Sequence, residues 1–264
     1  GASEYAIPAK PVPKFLKAWN QLIEEVTNHP NKKYHLGIVG GGAGGVEIAL
    51  NIQHHLQRIL KNAQQPMDNL TIHLFHRDKK ILAGHNSWVS HRLNKILIER
   101  GIQLHLSENV SQVLPDKIIC KSGLTVGVRP IFWVTQASAP SWIKASGLTT
   151  DLKGFILVND TLQSISHPHV FATGDIATMQ HYPRPKAGVF AVRQGKPLFE
   201  NLQRILLGTP LKPYIPQKQY LSLIGTGDKS AIASWSFLGW QSPLLWRWKD
   251  HIDRKFMQRF RDLS

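Results

Sequence analysis

The sequence predicts an α/β protein in which strands alternate with helices around a parallel sheet. Three observations carry this. A short apolar run over 34–39 leads into Gly40-Gly41-Gly42-Ala43-Gly44-Gly45 and then a helical pattern from Val46 to about Asn62. A second apolar run, 70–75, follows, so the order is β-α-β, which requires a parallel strand pair with the helix crossing over. With 264 residues, 42% of them hydrophobic and 19% charged, the chain can bury a sizeable core as one large or two small domains.

In order along the chain, the first ten residues read as an extended linker. Pro11 and Pro13 suit a helix entrance, and Phe15, Leu16, Trp19, Leu22, Ile23 and Val26 recur at helical spacing, predicting an amphipathic helix over 13–27. After the strand, glycine run and helix, Asp68-Asn69 turns the chain into the 70–75 strand. A helix over 88–100 stops at Gly101. Short strands are predicted near 102–106, 110–114 and 117–120, with a meander completed by 124–128, and 131–135 reads as a further buried strand. Beyond Pro140, residues 154–160 and 169–175 look strand-like and a helix runs over about 188–207. After the proline-spaced stretch 210–216, residues 221–225 and 231–236 form a hairpin around Thr226-Gly227-Asp228, and a terminal helix closes the chain.

Composition narrows the function. No stretch reaches the roughly 18 apolar residues of a membrane-spanning helix, and the N-terminus lacks a basic-then-apolar secretory pattern, so a cytoplasmic protein is expected. The single cysteine, Cys120, excludes an internal disulfide or thiolate zinc cluster and is expected to pack as a small buried residue. The 13 histidines have no spacing suited to a helical zinc pair, so no metal site is assigned. The 32 Lys+Arg against 17 Asp+Glu, +15 net, point to an anionic partner. Nucleic acid is set aside, because no helix-turn-helix, zinc-finger or aromatic-platform pattern accompanies the charge.

The glycine run carries the chemistry. Gly40, Gly42 and Gly45 form G-x-G-x-x-G between a strand and a helix. The first glycine permits the tight turn, the second lets backbone approach a pyrophosphate, and the third lets helix and strand pack closely. The phosphates sit on the helix N-terminus. The following strand ends in His76-Arg77-Asp78 where an acid would read a ribose 2′-OH. His76 and Arg77 favour NADPH over NADH, with Asp78 keeping the NADH alternative open.

These residues, with 76–85, 133–140, 170–177 and 183–195 in that order, resemble the pyridine nucleotide-disulfide oxidoreductase superfamily, and within it the type II NADH dehydrogenase-like flavoproteins. The tail over 221–257 is similar to the oxidoreductase module fused ahead of selenide, water dikinase. The resemblance implies two cofactors, FAD and NAD(P)H. It places NAD(P)H on Gly40–Gly45 with Glu47 as the acid of the helix's first turn. It places flavin on the second FAD motif, with Gly174 and Asp175, and on the helix start at Lys186, Ala187, Gly188 and Val189. That helix start would face its N–H groups to the flavin pyrimidine edge, where reduction places negative charge. It implies hydride transfer from NAD(P)H to flavin and on to a small-molecule, non-disulfide acceptor such as a quinone, with no side chain acting as catalytic acid or base.

Two departures stand out. Gln136 occupies the place of a glycine in the family's turn, and the family's own first strand, glycine loop and helix for the ADP half of FAD have no counterpart here. A C-terminal fragment is the preferred explanation over an incomplete flavin site. A non-catalytic nucleotide-binding module linked to selenophosphate synthesis is the second reading. The tail carries Trp246, Trp248, Ile252, Phe256 and Phe260 among Arg247, Lys249, Arg254, Lys255, Arg259 and Arg261. Docking onto the protein body or a homodimer partner is preferred there over peripheral membrane contact, because Asp250, Asp253 and Asp262 dilute the basic face. The second T-G-D, 226–228, reads as a plain hairpin turn.

The expected organisation is a linker and helix over 1–33, a Rossmann-like NAD(P)H-binding domain over 34–141, the C-terminal part of an FAD domain over 142–209, and a hairpin and helix region over 210–264.

Overall fold

The computed structural model describes residues 1–135 and 137–261; Gln136 and Asp262 lie outside the described residues. The chain forms two compact units, Gly1–Thr135 with Leu221–Ser264, and Gln136–Tyr220.

The first unit begins with helix α1 (Ala2–Tyr5), strand β1 (Ile7–Pro8) and helix α2 (Val12–Asn28). The core alternation follows: β2 (Tyr34–Val39), α3 (Ala43–Asn62), β3 (Leu70–His76), α4 (Ser87–Glu99), β4 (Gln103–Leu106), the meander β5 (Val110–Val113), β6 (Lys117–Cys120) and β7 (Thr125–Gly127), and β8 (Ile131–Trp133). The main sheet has the order β1-β8-β2-β3-β4, every pair parallel, with Leu36 opposite Ile72 and Ile38 opposite Leu74. The predicted parallel α/β fold is the one the chain adopts. The leading residues are not a linker: Ile7 and Pro8 pair with Phe132 and Trp133 as an edge strand. An edge tolerates Pro8, because one side of an edge strand needs no ladder N–H.

Alternate side chains of the strands serve two cores. Leu36, Ile38, Ile72, Leu74 and Phe132 pack with Val46, Leu50, Leu56, Leu93 and Leu97 of α3 and α4 and Leu22 and Val26 of α2. On the other face Val39, Phe75 and Ile131 pack with Ile118, Cys120 and Val128 around the meander. Gly37 lies under that meander, where a Cβ would meet Val128 Cγ2 at 2.9 Å. The start of α4 is fixed by Asn86, whose Oδ1 accepts from the Val89 N–H at 3.0 Å.

The second unit contains α5 (Ser141–Ala145), β9 (Ile156–Val158), β10 (Ala177–Met179), parallel to β9, and α6 (Gly188–Leu206). The strand expected over 169–175 does not form. Phe171 makes only an isolated bridge to Gln163, residues 174–176 form a 3-10 turn, and the strand comes after it. The partner segment turns at Leu162, whose φ of 67° is incompatible with an extended run, so the ladder stops after one bridge. Asn201, fully buried, donates to the carbonyls of Thr161 and Lys212, both at 2.9 Å, and accepts from the Lys212 N–H at 2.8 Å. That side chain holds the proline-spaced stretch onto α6.

The chain then returns to the first unit as β11 (Ser222–Gly225), β12 (Ala231–Trp235), β13 (Leu238–Ser242) and α7 (Pro243–Arg261). The hairpin falls where the sequence placed it, and β13 extends it to a three-stranded antiparallel sheet against which α7 packs. The second T-G-D does form the turn, and it is also an anchor. Arg100 donates to the Thr226 carbonyl at 2.5 Å and to the Asp228 carboxylate at 2.6 Å, while Thr226 Oγ1 donates to Asp228 at 2.6 Å.

Candidate functional site

The glycine loop leaves the C-terminal end of β2 and opens α3, so its N–H groups stand at the crest of the parallel sheet, where such folds bind ligands. The three motif glycines meet three different surroundings. Gly40 lies at φ 124°, a region closed to side chains, with its Cβ direction blocked by the Val134 carbonyl. A Cβ at Gly45 would collide with the Gly40 carbonyl oxygen, so α3 can approach β2 only with glycine there. Gly42 is the helix N-cap, with φ −77° and ψ 178°, and a Cβ there would meet nothing within 4 Å. Its backbone is one any residue adopts, so the protein's own packing does not require glycine at 42. An open cradle beside a helix start with no side-chain cap is what a pyrophosphate's close approach requires. The residues present fit a dinucleotide.

Gly41 faces a different neighbour. Its N–H donates to His76 Nδ1 at 3.2 Å, and a Cβ at Gly41 would come within 2.7 Å of the imidazole. The His76 side chain is 13% exposed, and burial pushes its pKa below the ordinary value, outweighing the upward pull of Asp78. Arg77 is largely exposed, with Nε 3.9 Å from Asp78 Oδ2.

Glu47, on the second turn of α3, does not face the open cradle. Its Oε1 accepts from the Gly225 N–H at 3.0 Å and lies 3.4 Å from Lys249 Nζ. Burial raises its pKa, against the opposing pull of Lys249 and the Gly225 N–H. The carboxylate thus joins the nucleotide-loop helix to β11 and α7. Lys249 was visible in the sequence only as one of several tail cations.

In the second unit, Gly174, Asp175, Lys186 and Ala187 line one small pocket together with Tyr182, Phe190 and Gln194. Gly188 and Val189 open α6, whose first turn has no side-chain cap. The N–H groups of that turn suit an anionic edge such as the flavin pyrimidine. Lys186 does not point freely into the pocket. Its Nζ donates to the Ala177 carbonyl and to Thr178 Oγ1 at 3.1 Å, and lies 4.1 Å from the centre of the Phe155 ring. Gln194, which sequence reasoning missed, accepts from the Gly174 N–H at 2.7 Å and ties the T-G-D turn to α6. Nothing short of the fold marks that glutamine, because it is distant in sequence from the turn it holds. Among the described residues, no three His, Cys, Asp or Glu side chains converge as a metal site.

Comparison with known proteins agrees with this geometry. Ferroptosis suppressor protein 1 of Xenopus laevis is 26% identical over 214 residues, 76% of this chain and 52% of its own length. The type II NADH:quinone oxidoreductase of Haemophilus influenzae is 25% identical over 191 residues, 69% of this chain and 42% of its own. The chain spans about half the length of these curated relatives. In fold, the sulfide:quinone oxidoreductase of Aquifex aeolicus superposes with a TM-score of 0.77 over 99% of this chain and 66% of its own, at 15% identity. The profile of one family, described as pyridine nucleotide-disulphide oxidoreductase, matches residues 10–195 and so takes in both the glycine loop and the T-G-D turn. The chain belongs to the pyridine nucleotide-disulphide oxidoreductase family.

Proposed function

We propose that the chain is the NAD(P)H-binding portion, with part of the FAD-binding portion, of an oxidoreductase that passes reducing equivalents from NAD(P)H through flavin to a small-molecule acceptor of the quinone class. The open cradle at Gly42, between two glycines fixed by the fold, is the observation that carries it. Gly40–Gly45 would hold the dinucleotide pyrophosphate. Gly174 and Asp175, with the α6 start at Lys186, Ala187, Gly188 and Val189, would hold the flavin. FAD, when bound, supplies the two-electron chemistry between nicotinamide and acceptor. The chain's own contribution is to bind, orient and stabilise charge through N–H groups, so no side chain is assigned as catalytic acid or base. The names of the Haemophilus and Aquifex proteins support a quinone-type acceptor.

The terminal helix docks on the protein body through Leu245 and Lys249, as the preferred expectation has it, and its exposed face leaves peripheral membrane contact as a second role. No described helix is long and apolar enough to cross a membrane. At 100° per residue, Leu244, Trp248 and Ile252, all exposed, share one side of α7 with Arg247, His251, Lys255 and Arg259, while Leu245 and Lys249 face the protein. Protein that stays in the supernatant when anionic vesicles are sedimented would contradict this contact.

The main test is the visible spectrum of the full-length gene product. Flavin absorption that bleaches on adding NAD(P)H is expected. A colourless protein that still binds NAD(P)H would favour the second reading, supported by the tail's similarity to the module preceding selenide, water dikinase: a regulatory nucleotide-binding unit tied to selenophosphate synthesis.

A further inference from the structure

Behind the small pocket of the second unit lies a hydrogen-bonded charge pair that no sequence motif marks. Lys186 immediately precedes Ala187, the N-cap of α6, yet its ammonium turns back into the body of the unit. Nζ donates to the Ala177 carbonyl and to Thr178 Oγ1 and lies 4.1 Å from the centre of the Phe155 ring. Thr178 directs its own proton elsewhere: Oγ1 donates to Asp151 Oδ2 at 2.8 Å, so toward Lys186 it can only accept. The carboxylate is held in turn, since Asp151 Oδ1 accepts from the N–H groups of Lys153 at 2.8 Å and Phe155 at 3.0 Å. A carbonyl, a hydroxyl lone pair and a ring face all suit a cation, so these surroundings hold Lys186 as the ammonium. Burial lowers its pKa, against the upward pull of Asp151 and Asp175, while Lys153 adds to the lowering. Burial likewise opposes the Asp151 charge, but the bonds from Thr178, Phe155 and Lys153, with the Lys186 charge, hold that carboxyl below the ordinary range. Lys186 and Thr178 line the pocket, and the Asp151 carboxylate stands one side chain further back.

An ammonium already bonded to two protein acceptors is a poor ligand but a fixed charge. The same pocket is bordered by the T-G-D turn and the start of α6, the place proposed for the flavin edge that turns negative on two-electron reduction. We propose that Lys186 and Asp151 set the reduction potential of that flavin in opposite directions, Lys186 raising it by favouring the reduced form and Asp151, through Thr178, holding it down. Lys186 then serves the flavin by its charge rather than by a direct bond, and Asp151 and Thr178 are positioning residues. The proposal rests on the reading of this pocket as the flavin site.

The test is a redox titration of the flavin bound to the full-length gene product, against a dye of known potential, for the parent and three variants. Lys186→Gln removes the charge and keeps an N–H donor for the Ala177 carbonyl. It should weaken the binding of reduced relative to oxidised flavin at least about tenfold, a fall of about 30 mV for two electrons. Lys186→Arg keeps the charge and should recover most of that fall. Asp151→Asn should move the potential upward, by a smaller step because its carboxylate acts across Thr178. A purely structural role would lower the affinity for both redox forms alike and leave the potential in place. Equal potentials in all four proteins, or shifts of the same sign in Lys186→Gln and Asp151→Asn, overturn the proposal while leaving the flavin site intact. If Lys186→Gln retains too little flavin to titrate, the direction of the Asp151→Asn shift decides. A full-length product without flavin overturns the proposal and the reading of the pocket together.

Discussion

Replacing Gly42 and Gly45 separately by alanine distinguishes a glycine kept for a ligand from one kept for the fold. At Gly45 the new Cβ meets the Gly40 carbonyl, which is backbone and cannot rotate away. Overpacking of this kind costs up to about 3 kcal/mol, and alanine's better helix propensity returns at most about 1 kcal/mol. A net loss of about 2 kcal/mol lowers Tm by roughly 4–8 °C for a unit of this size. At Gly42 the Cβ enters open space with backbone angles alanine adopts. The stiffened unfolded chain contributes about 0.4–1 kcal/mol of stability, and the poorer N-cap removes a similar amount. Gly42→Ala should therefore leave Tm within about 1–2 °C of the parent, a change of no more than about 0.5 kcal/mol. Its effect falls on the ligand. A methyl group in the cradle separates the pyrophosphate from at least one charge-assisted N–H contact, worth about 1.5–3 kcal/mol, so NAD(P)H binding weakens roughly 10- to 100-fold. Thermal unfolding gives the first quantity and titration of nicotinamide fluorescence the second. Unchanged binding in Gly42→Ala would refute the cradle, and an unchanged Tm in Gly45→Ala would refute the packing argument.

Two further perturbations probe the scaffold around the site. Arg100→Met removes the donors to Thr226 and Asp228 and should cost about 2 kcal/mol, opening the 226–230 turn to limited proteolysis; equal cleavage of parent and variant would contradict the anchor. His73 stacks with His105, its Nδ1 3.0 Å from that ring's Nε2, and burial followed by the neighbouring imidazoles pulls its pKa from 6.5 to about 4. Between those values the unfolded chain holds the proton and the folded chain does not, so stability should fall as pH drops from about 6.5 to 4. At about 1.4 kcal/mol per pKa unit the span is at most roughly 3 kcal/mol, less where solvent reaches the ring. Urea midpoints across that range should flatten in His73→Gln, and parallel curves for the two proteins would assign the dependence elsewhere.

Local pattern alone determined the inner strands β2 and β3 of the main sheet and the helices α3 and α4. The alternation of strand, glycine loop and helix is set by side-chain periodicity and by glycine sterics, both local in sequence, so β2, α3, β3 and α4 fell within a few residues of their predicted bounds. The glycine loop proposed as the nucleotide site was legible for the same reason, since all three motif glycines lie within six residues. What local pattern could not supply was pairing at a distance. Ile7 and Pro8 are a strand only because β8 offers them an edge, and the 169–175 run is not one because its partner turns at Leu162. Glu47 carries an acid's signature in the motif, yet its carboxylate is held by Gly225 and Lys249 from the far end of the chain. His76 looked like half of a cationic pair until the Gly41 N–H fixed its tautomer. Sequence determined which groups the chain carries; only the tertiary structure decided their protonation and their partners, because burial and hydrogen bonding depend on residues that folding alone brings together.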